Sequence, residues 1–223
     1  MIILLPPSEG KETGGKGVWT PKNGRFGGAL AAPRKQVIDS LPRTPGAALK
    51  VRGAHAEHAQ RANQSLGASP ALPARVRYSG VVYQGLDYNS LSAKERRKAN
   101  SSIVVVSGLA GLVAFGDDLP DYRAPIDSRV ASLGKLSQFW KPELQPLLEQ
   151  LSRRHIIVDV LPQAHRAAMS PVGDWRTVEI VDKSGAGGHA AKHAKGRFVR
   201  WLLNHDPDEI GAWRDGDWKA VVR

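Results

Sequence analysis

Apolar and polar positions follow two rhythms along this chain. Continuous apolar runs occupy Ile2–Leu5 and Ile103–Val106, and a third, interrupted only by Asp159, spans Ile156–Leu161. Unbroken runs of that length predict strands covered on both sheet faces. Trp175–Val181 alternates instead and predicts an edge or one-sided strand, while Tyr78–Tyr83 predicts another strand running into a turn. Between these runs the spacing shifts to three and four, the period of a helix with one buried face. That pattern predicts helices over Pro33–Leu41, Ala54–Leu66, Leu136–Trp140 and Pro142–Leu151, the last with Leu144, Leu147, Leu148 and Leu151 on its apolar side. Ala54, Ala62 and Leu66 would be the apolar or small face of the second. Ser92 followed by Glu95 predicts a capped helix start, continued by the basic end Arg96-Arg97-Lys98. The segment with Trp213 and Trp218 predicts a final strand or an irregular cap. Strands alternating with helices give an α/β fold: a single domain over residues 1–223, with a mixed sheet of at least five strands flanked by helices.

The clearest helical pattern lies at Gly187–Leu203. Ala191, Ala194, Phe198, Trp201 and Leu202 form one stripe, and His189, Lys192, His193, Arg197 and Arg200 fall on the opposite side. Lys195 sits at the seam, its stem on apolar surface and its ammonium expected to reach water. No acid occurs between Asp182 and Asp206. Such a face needs an anionic partner or an acidic surface elsewhere in the fold.

Composition sharpens this picture. The chain has 223 residues, 41% hydrophobic and 24% charged, as in ordinary globular proteins. Its net charge of +11 points toward phosphate-bearing partners. Arginine and lysine recur from Thr20 to Arg77 against only Asp39 and Glu57, marking a basic helical region at about residues 20–77 within the same domain. No apolar run is long enough to span a membrane, and Met1 leads directly into Ile2–Leu5 without a basic leader. With 0 cysteines there is no disulfide framework and no thiolate chemistry, so the cytoplasm is the expected location.

Candidate chemistry concentrates beyond strand ends. After Pro6-Pro7 comes the turn Ser8-Glu9-Gly10-Lys11, then a glycine-rich stretch, Gly14-Gly15-Lys16-Gly17. A lysine in a glycine-containing turn after a strand suits a phosphate, although the Walker spacing is absent. Asp117, Asp118, Asp121 and Arg123 crowd one turn and suit turn and cap roles better than a metal site. His55 and His58 lie three apart with no third ligand in view. Nothing here calls for a metal or a cofactor, and the oligomeric state is left open.

Four ordered blocks resemble the peroxide-stress YaaA family. They are Leu4-Leu5-Pro6-Pro7-Ser8-Glu9-Gly10-Lys11, Val82-Tyr83-Gln84-Gly85-Leu86, Val106-Ser107-Gly108-Leu109-Ala110-Gly111-Leu112 with Pro120, Tyr122-Arg123 and Phe139-Trp140, and Ala191-Lys192-His193-Ala194-Lys195-Gly196. The resemblance implies a single α/β domain with a basic cleft, a cytoplasmic role in oxidative stress and DNA binding. It also implies a helix-hairpin-helix element in the N-terminal third, where no Gly-x-Gly hairpin is found. Ala110, Pro162 and His165 depart from the family pattern at positions expected near a pocket.

Two functions follow. In the first, Lys192, His193, Lys195, Arg197 and Arg200 track DNA phosphates. In the second, an enzyme uses Ser8, Lys11 and Lys192 to hold a small anionic substrate, with Lys11, His165 or His193 as the candidate catalytic group. Both place Lys11, Tyr122, Arg123, Lys192 and Lys195 in one cleft. The first has the greater support from charge and family resemblance.

Overall fold

The computed structural model describes residues 1–183 and 187–223. The expected Gly185–Gly188 connection therefore lies partly outside the described residues. In chain order the strands and helices begin with β1 (Ile2–Leu5), β2 (Lys16–Val18), α1 (Gly27–Ser40), α2 (Ala54–Gln64) and β3 (Pro70–Pro73). They continue with α3 (Ala74–Arg77), α4 (Val81–Leu86), α5 (Ala93–Ser102), β4 (Ile103–Ser107), β5 (Gly111–Ala114) and β6 (Asp118–Leu119). Next come β7 (Arg129–Val130), β8 (Gly134–Lys135), α6 (Leu136–Ser152), β9 (Ile157–Asp159) and α7 (Gln163–Arg166). The chain ends with β10 (Trp175–Asp182), α8 (Gly188–Leu202), β11 (Arg214–Asp215) and β12 (Trp218–Val222).

The fold is α/β, built on a mixed 7-stranded sheet in the order β11-β12-β10-β9-β1-β4-β5. Strand β1 lies at its centre, parallel to β4 with Ile3 opposite Ile103, and parallel to β9 with Ile2 opposite Ile157. All four β1 side chains and all five of β4 are buried, as expected when helices cover both faces. A smaller sheet, β2-β3-β6, and the β7–β8 hairpin flank it.

Several expected elements change on folding. Strand β10 is an interior strand: β9 pairs with its first half in parallel and β12 pairs antiparallel beyond it. Its half-buried pattern comes from thin cover on its faces, since Val178 alone is fully buried. The strand expected at Tyr78–Tyr83 is absent. Tyr78 makes a single bridge with Lys11, and Val81–Leu86 forms α4. Strand-favouring side chains here yield to packing, because α4 lies directly against α8. Helix α1 begins well before Pro33, and α6 runs unbroken through Pro142 and Pro146. Helix α2 buries Ala59 and Asn63, while Ala54 stays exposed. The Ser92–Glu95 capping box forms as expected, opening α5.

Candidate functional site

The site is assembled beyond the carboxyl ends of the parallel strands, where ligand sites of open α/β sheets lie. Pro6 and Pro7 cannot continue the β1 ladder, so the chain turns out through Ser8–Lys11. The Ser8 hydroxyl donates to the Gly10 carbonyl and tightens that turn. The Lys11 ammonium folds back to donate to the Ser8 carbonyl at 3.1 Å and to the Glu9 carbonyl at 3.4 Å. It also lies 4.4 Å from the centre of the Tyr122 ring, and the two carbonyls use two of its three donors. Burial pulls the ammonium down to about 8; Asp121 opposes the change and Arg123 adds to it.

Tyr122 is fixed from beneath by β4. The Ser107 hydroxyl oxygen accepts the backbone N–H groups of Leu109 and Ala110, each at 3.2 Å. Its own proton is therefore free for the Tyr122 oxygen at 2.8 Å, and the Tyr122 proton for the Tyr78 oxygen at 2.7 Å. Burial pushes Tyr122 up to about 12 and holds Tyr78 well above the ordinary range, so both phenols stay neutral. Arg123 follows directly. Asn63 of α2 clamps its backbone, with Asn63 Oδ1 accepting from Arg123 N at 2.9 Å and Asn63 Nδ2 donating to Arg123 O at 2.8 Å. Arg123 Nη2 reaches Glu9 Oε1 at 3.2 Å, while its buried Nε has no protein partner.

The opposite wall comes from β9, α7 and α8. The buried Asp159 carboxylate accepts from Leu161 N at 2.8 Å and from Arg166 Nε at 3.0 Å, which ties the last residue of α7 back to β9. This brings His165 against the cavity with both ring nitrogens buried and unpartnered. Burial lowers its pKa to about 4, with Asp127 opposing and Lys195 reinforcing the shift. The half-buried Lys195 ammonium donates to the Val160 carbonyl at 2.6 Å. Burial brings it down to about 8, with Arg166 adding to the effect. Lys192, one turn earlier, is exposed and has no partner among the described residues.

Ser8, Lys11, Tyr122, Arg123, His165, Lys192 and Lys195 thus line one cavity of about 520 Å³, with Glu9 and Asp127 as its acids. A neighbouring cavity of about 900 Å³ shares Glu9, Gly10, Lys11, Tyr122 and Arg123 with it.

His193, Arg197 and Arg200 lie outside both cavities. Arg197 pairs with Asp215 and donates to His193 Nδ1 at 2.6 Å. Arg200 lies 3.6 Å from the Asp87 carboxylate and donates to Ser90 Oγ at 2.6 Å. The polar face of α8 therefore finds its acids elsewhere in the fold. Pro162 and His165 do line the cavity, but Ala110 is buried in the β4–β5 turn, away from it. Lys16 of the glycine-rich stretch opens the exposed strand β2, also away from the cavity. His58 lies 3.1 Å from Asp121, and among the described residues no three His, Asp or Glu side chains gather as metal ligands. Sequence reasoning missed Asn63, Asp127 and Lys50, whose ammonium pairs with Asp127 from the wall of the larger cavity. Asp127 continues the Tyr122-Arg123 block, and that continuity was the one local signal available for any of them.

These features define a class, a mixed α/β domain whose strand-end loops and last long helix enclose a cavity walled by lysine and arginine. Over residues 1–220 the chain matches the family described as peroxide stress protein YaaA, and it belongs to that family. It is 33% identical to a UPF0246 protein of Streptomyces coelicolor over 217 residues, covering 91% of this chain and 83% of that protein. A UPF0246 protein of Corynebacterium glutamicum is 28% identical over 214 residues, covering 91% and 84%. A third, from Roseobacter denitrificans, is 25% identical over 163 residues, covering 66% and 63%. Among the described residues no helix is long and apolar enough to cross a membrane.

Proposed function

We propose that this YaaA-family protein serves peroxide stress in the cytoplasm by binding a small anionic molecule, a phosphate or carboxylate, in the 520 Å³ cavity. The observation that carries the reading is the company kept by buried nitrogen atoms of two half-buried side chains. Among the described residues Arg123 Nε and both nitrogens of His165 lack partners, and both side chains line the cavity that Lys192 also lines. A buried polar group without a partner costs about 1–3 kcal/mol, and these atoms are closed to solvent, so a ligand that turns either side chain toward the cavity would complete them. Lys192, Arg123 and the remaining donor of Lys11 supply the positive charge. His165, neutral at rest, is the group suited to exchange a proton with the ligand, which is the enzyme form of this reading.

Duplex binding along α8 draws less support, because Arg197 and Arg200 already hold carboxylates of the fold. The test is a pair of titrations: orthophosphate or citrate followed by thermal shift and calorimetry, and labelled duplex DNA followed by anisotropy at several salt concentrations. The expected result is a rise in Tm with the small anion that Lys192→Ala abolishes while Arg200→Ala leaves it intact. Absence of any small-anion response would overturn the reading. So would a duplex salt slope that flattens by about 0.9 for each of Lys192→Ala, Arg197→Ala and Arg200→Ala.

A further inference from the structure

The two neighbouring cavities are joined by a common wall. Lys11, Tyr122 and the Glu9–Arg123 pair face both of them. A second ion pair crosses between them as well, since Lys50 lines the larger cavity and its partner Asp127 the smaller. At about 520 and 900 Å³, each cavity has the size that accommodates a drug-sized ligand, and an orthophosphate would leave most of either unfilled. The larger cavity has its own cationic end. Arg52 and His55 line it without a partner among the described residues, whereas Lys50 and His58 are engaged by Asp127 and Asp121. Beyond the residues common to both, Lys192 lines the smaller cavity and Arg52 the larger, each a cation without a partner among the described residues.

We propose that the two cavities form one bipartite site whose ligand is an extended small molecule with an anionic group at each end, its middle passing Lys11 and Tyr122. The inference rests on the anion-binding reading of the smaller cavity. It adds a second subsite, at Arg52 and His55, and a ligand class, a dianion long enough to reach both. Glu9 occupies Arg123 at the junction with a carboxylate that is 84% exposed, so an arriving anionic group can displace it into water. Joining two weak subsites through one molecule raises affinity because the second contact becomes intramolecular.

Linear inorganic phosphates make a ruler free of scaffold preferences. Calorimetry of the full chain with orthophosphate, pyrophosphate, tripolyphosphate and a longer oligophosphate should show affinity rising by roughly tenfold or more once the chain reaches both subsites. Arg52→Ala should remove most of that gain and leave orthophosphate affinity unchanged. Lys192→Ala should weaken every length. Arg97→Ala, which removes an equal charge from exposed α5, should change neither. A length gain that survives Arg52→Ala, or that Arg97→Ala diminishes equally, would overturn the bipartite site while leaving the smaller cavity as an anion site. No orthophosphate binding at all, or binding indifferent to Lys192→Ala, would overturn the underlying reading too.

Discussion

Gly85 and Gly196 meet where α4 crosses α8, each at a point where no side chain fits. A Cβ on Gly85 would enter the His193 carbonyl, and one on Gly196 would enter the Val82 carbonyl. The two backbones touch, which sets the distance between Val82 and Tyr83 on one cavity wall and Lys192 and Lys195 on the other. Gly196→Ala should force the helices apart, cost roughly 1–3 kcal/mol and weaken anion binding. Gly28→Ala, on the exposed face of α1 with open space around it, should instead stabilise by about 0.5–1 kcal/mol. Urea denaturation of both variants checks the contrast, and equal midpoints would contradict it.

Arg34 shows the opposite economy, a buried charge held without a buried carboxylate. Its guanidinium donates to the carbonyls of Ala110 and Leu112, both at 2.9 Å, and to those of Pro21 and Asn23 at 3.0 and 2.7 Å. Burial lowers it to about 10, opposed by Asp117, so it remains charged at neutral pH. The planar fork ties α1 to the β4–β5 turn in a way that one ammonium cannot copy. Arg34→Leu should cost about 2–5 kcal/mol, because several buried carbonyls lose their donor. Arg34→Lys should recover only part of that loss. A denaturation midpoint for Arg34→Leu close to wild type would contradict this account.

The parts of this fold legible in the sequence were those set by local pattern. Ile2–Leu5 and Ile103–Val106 read as core strands because both their faces are covered, and Ser92–Glu95 read as a cap because the cap is made within four residues. The gathering of Lys11, Tyr122, Arg123, Lys192 and Lys195 was legible too, since the first three follow strand ends and the two lysines lie in the first half of α8. Contacts between distant segments were not. Asp87 and Asp215, which hold Arg200 and Arg197, lie outside α8, so the sequence left open whether its basic face met acids of the fold or an outside anion. Val81–Leu86 is too short for a helical period to show, and its β-favouring residues pointed to a strand that packing against α8 overrides.

Glu9 should act as a competitor for the anion. Its pair with Arg123 is the cavity's most exposed tie, with the carboxylate 84% and the guanidinium 14% exposed. Glu9→Gln removes that competitor and one negative charge while keeping the turn geometry. Affinity for orthophosphate should rise by a factor of a few, as expected for releasing an exposed ion pair, with thermal stability little changed. A drop in affinity would mean that Glu9 helps to hold the ligand.

His165 should make both stability and binding depend on pH, with signs that follow from its burial. Its folded pKa is lowered from 6.5 to about 4, so between those values the unfolded chain binds a proton that the folded chain does not. Stability therefore rises with pH across that window, and acidification below about 6.5 removes it progressively until about pH 4. At ~1.4 kcal/mol per pKa unit the full effect is roughly 3 kcal/mol. His155 is also lowered by burial and contributes in the same direction, so the informative quantity is the difference between wild type and His165→Gln. That variant should lose most of the slope. An anion bound beside His165 favours the imidazolium and raises its pKa, working with Asp127 and against Lys195. Binding near pH 5–6 should then take up a proton, seen as a calorimetric heat that changes with the ionisation enthalpy of the buffer. His165→Gln should abolish that dependence. If the variant keeps both the stability slope and the proton uptake, His165 is a packed side chain with no part in the ligand's chemistry.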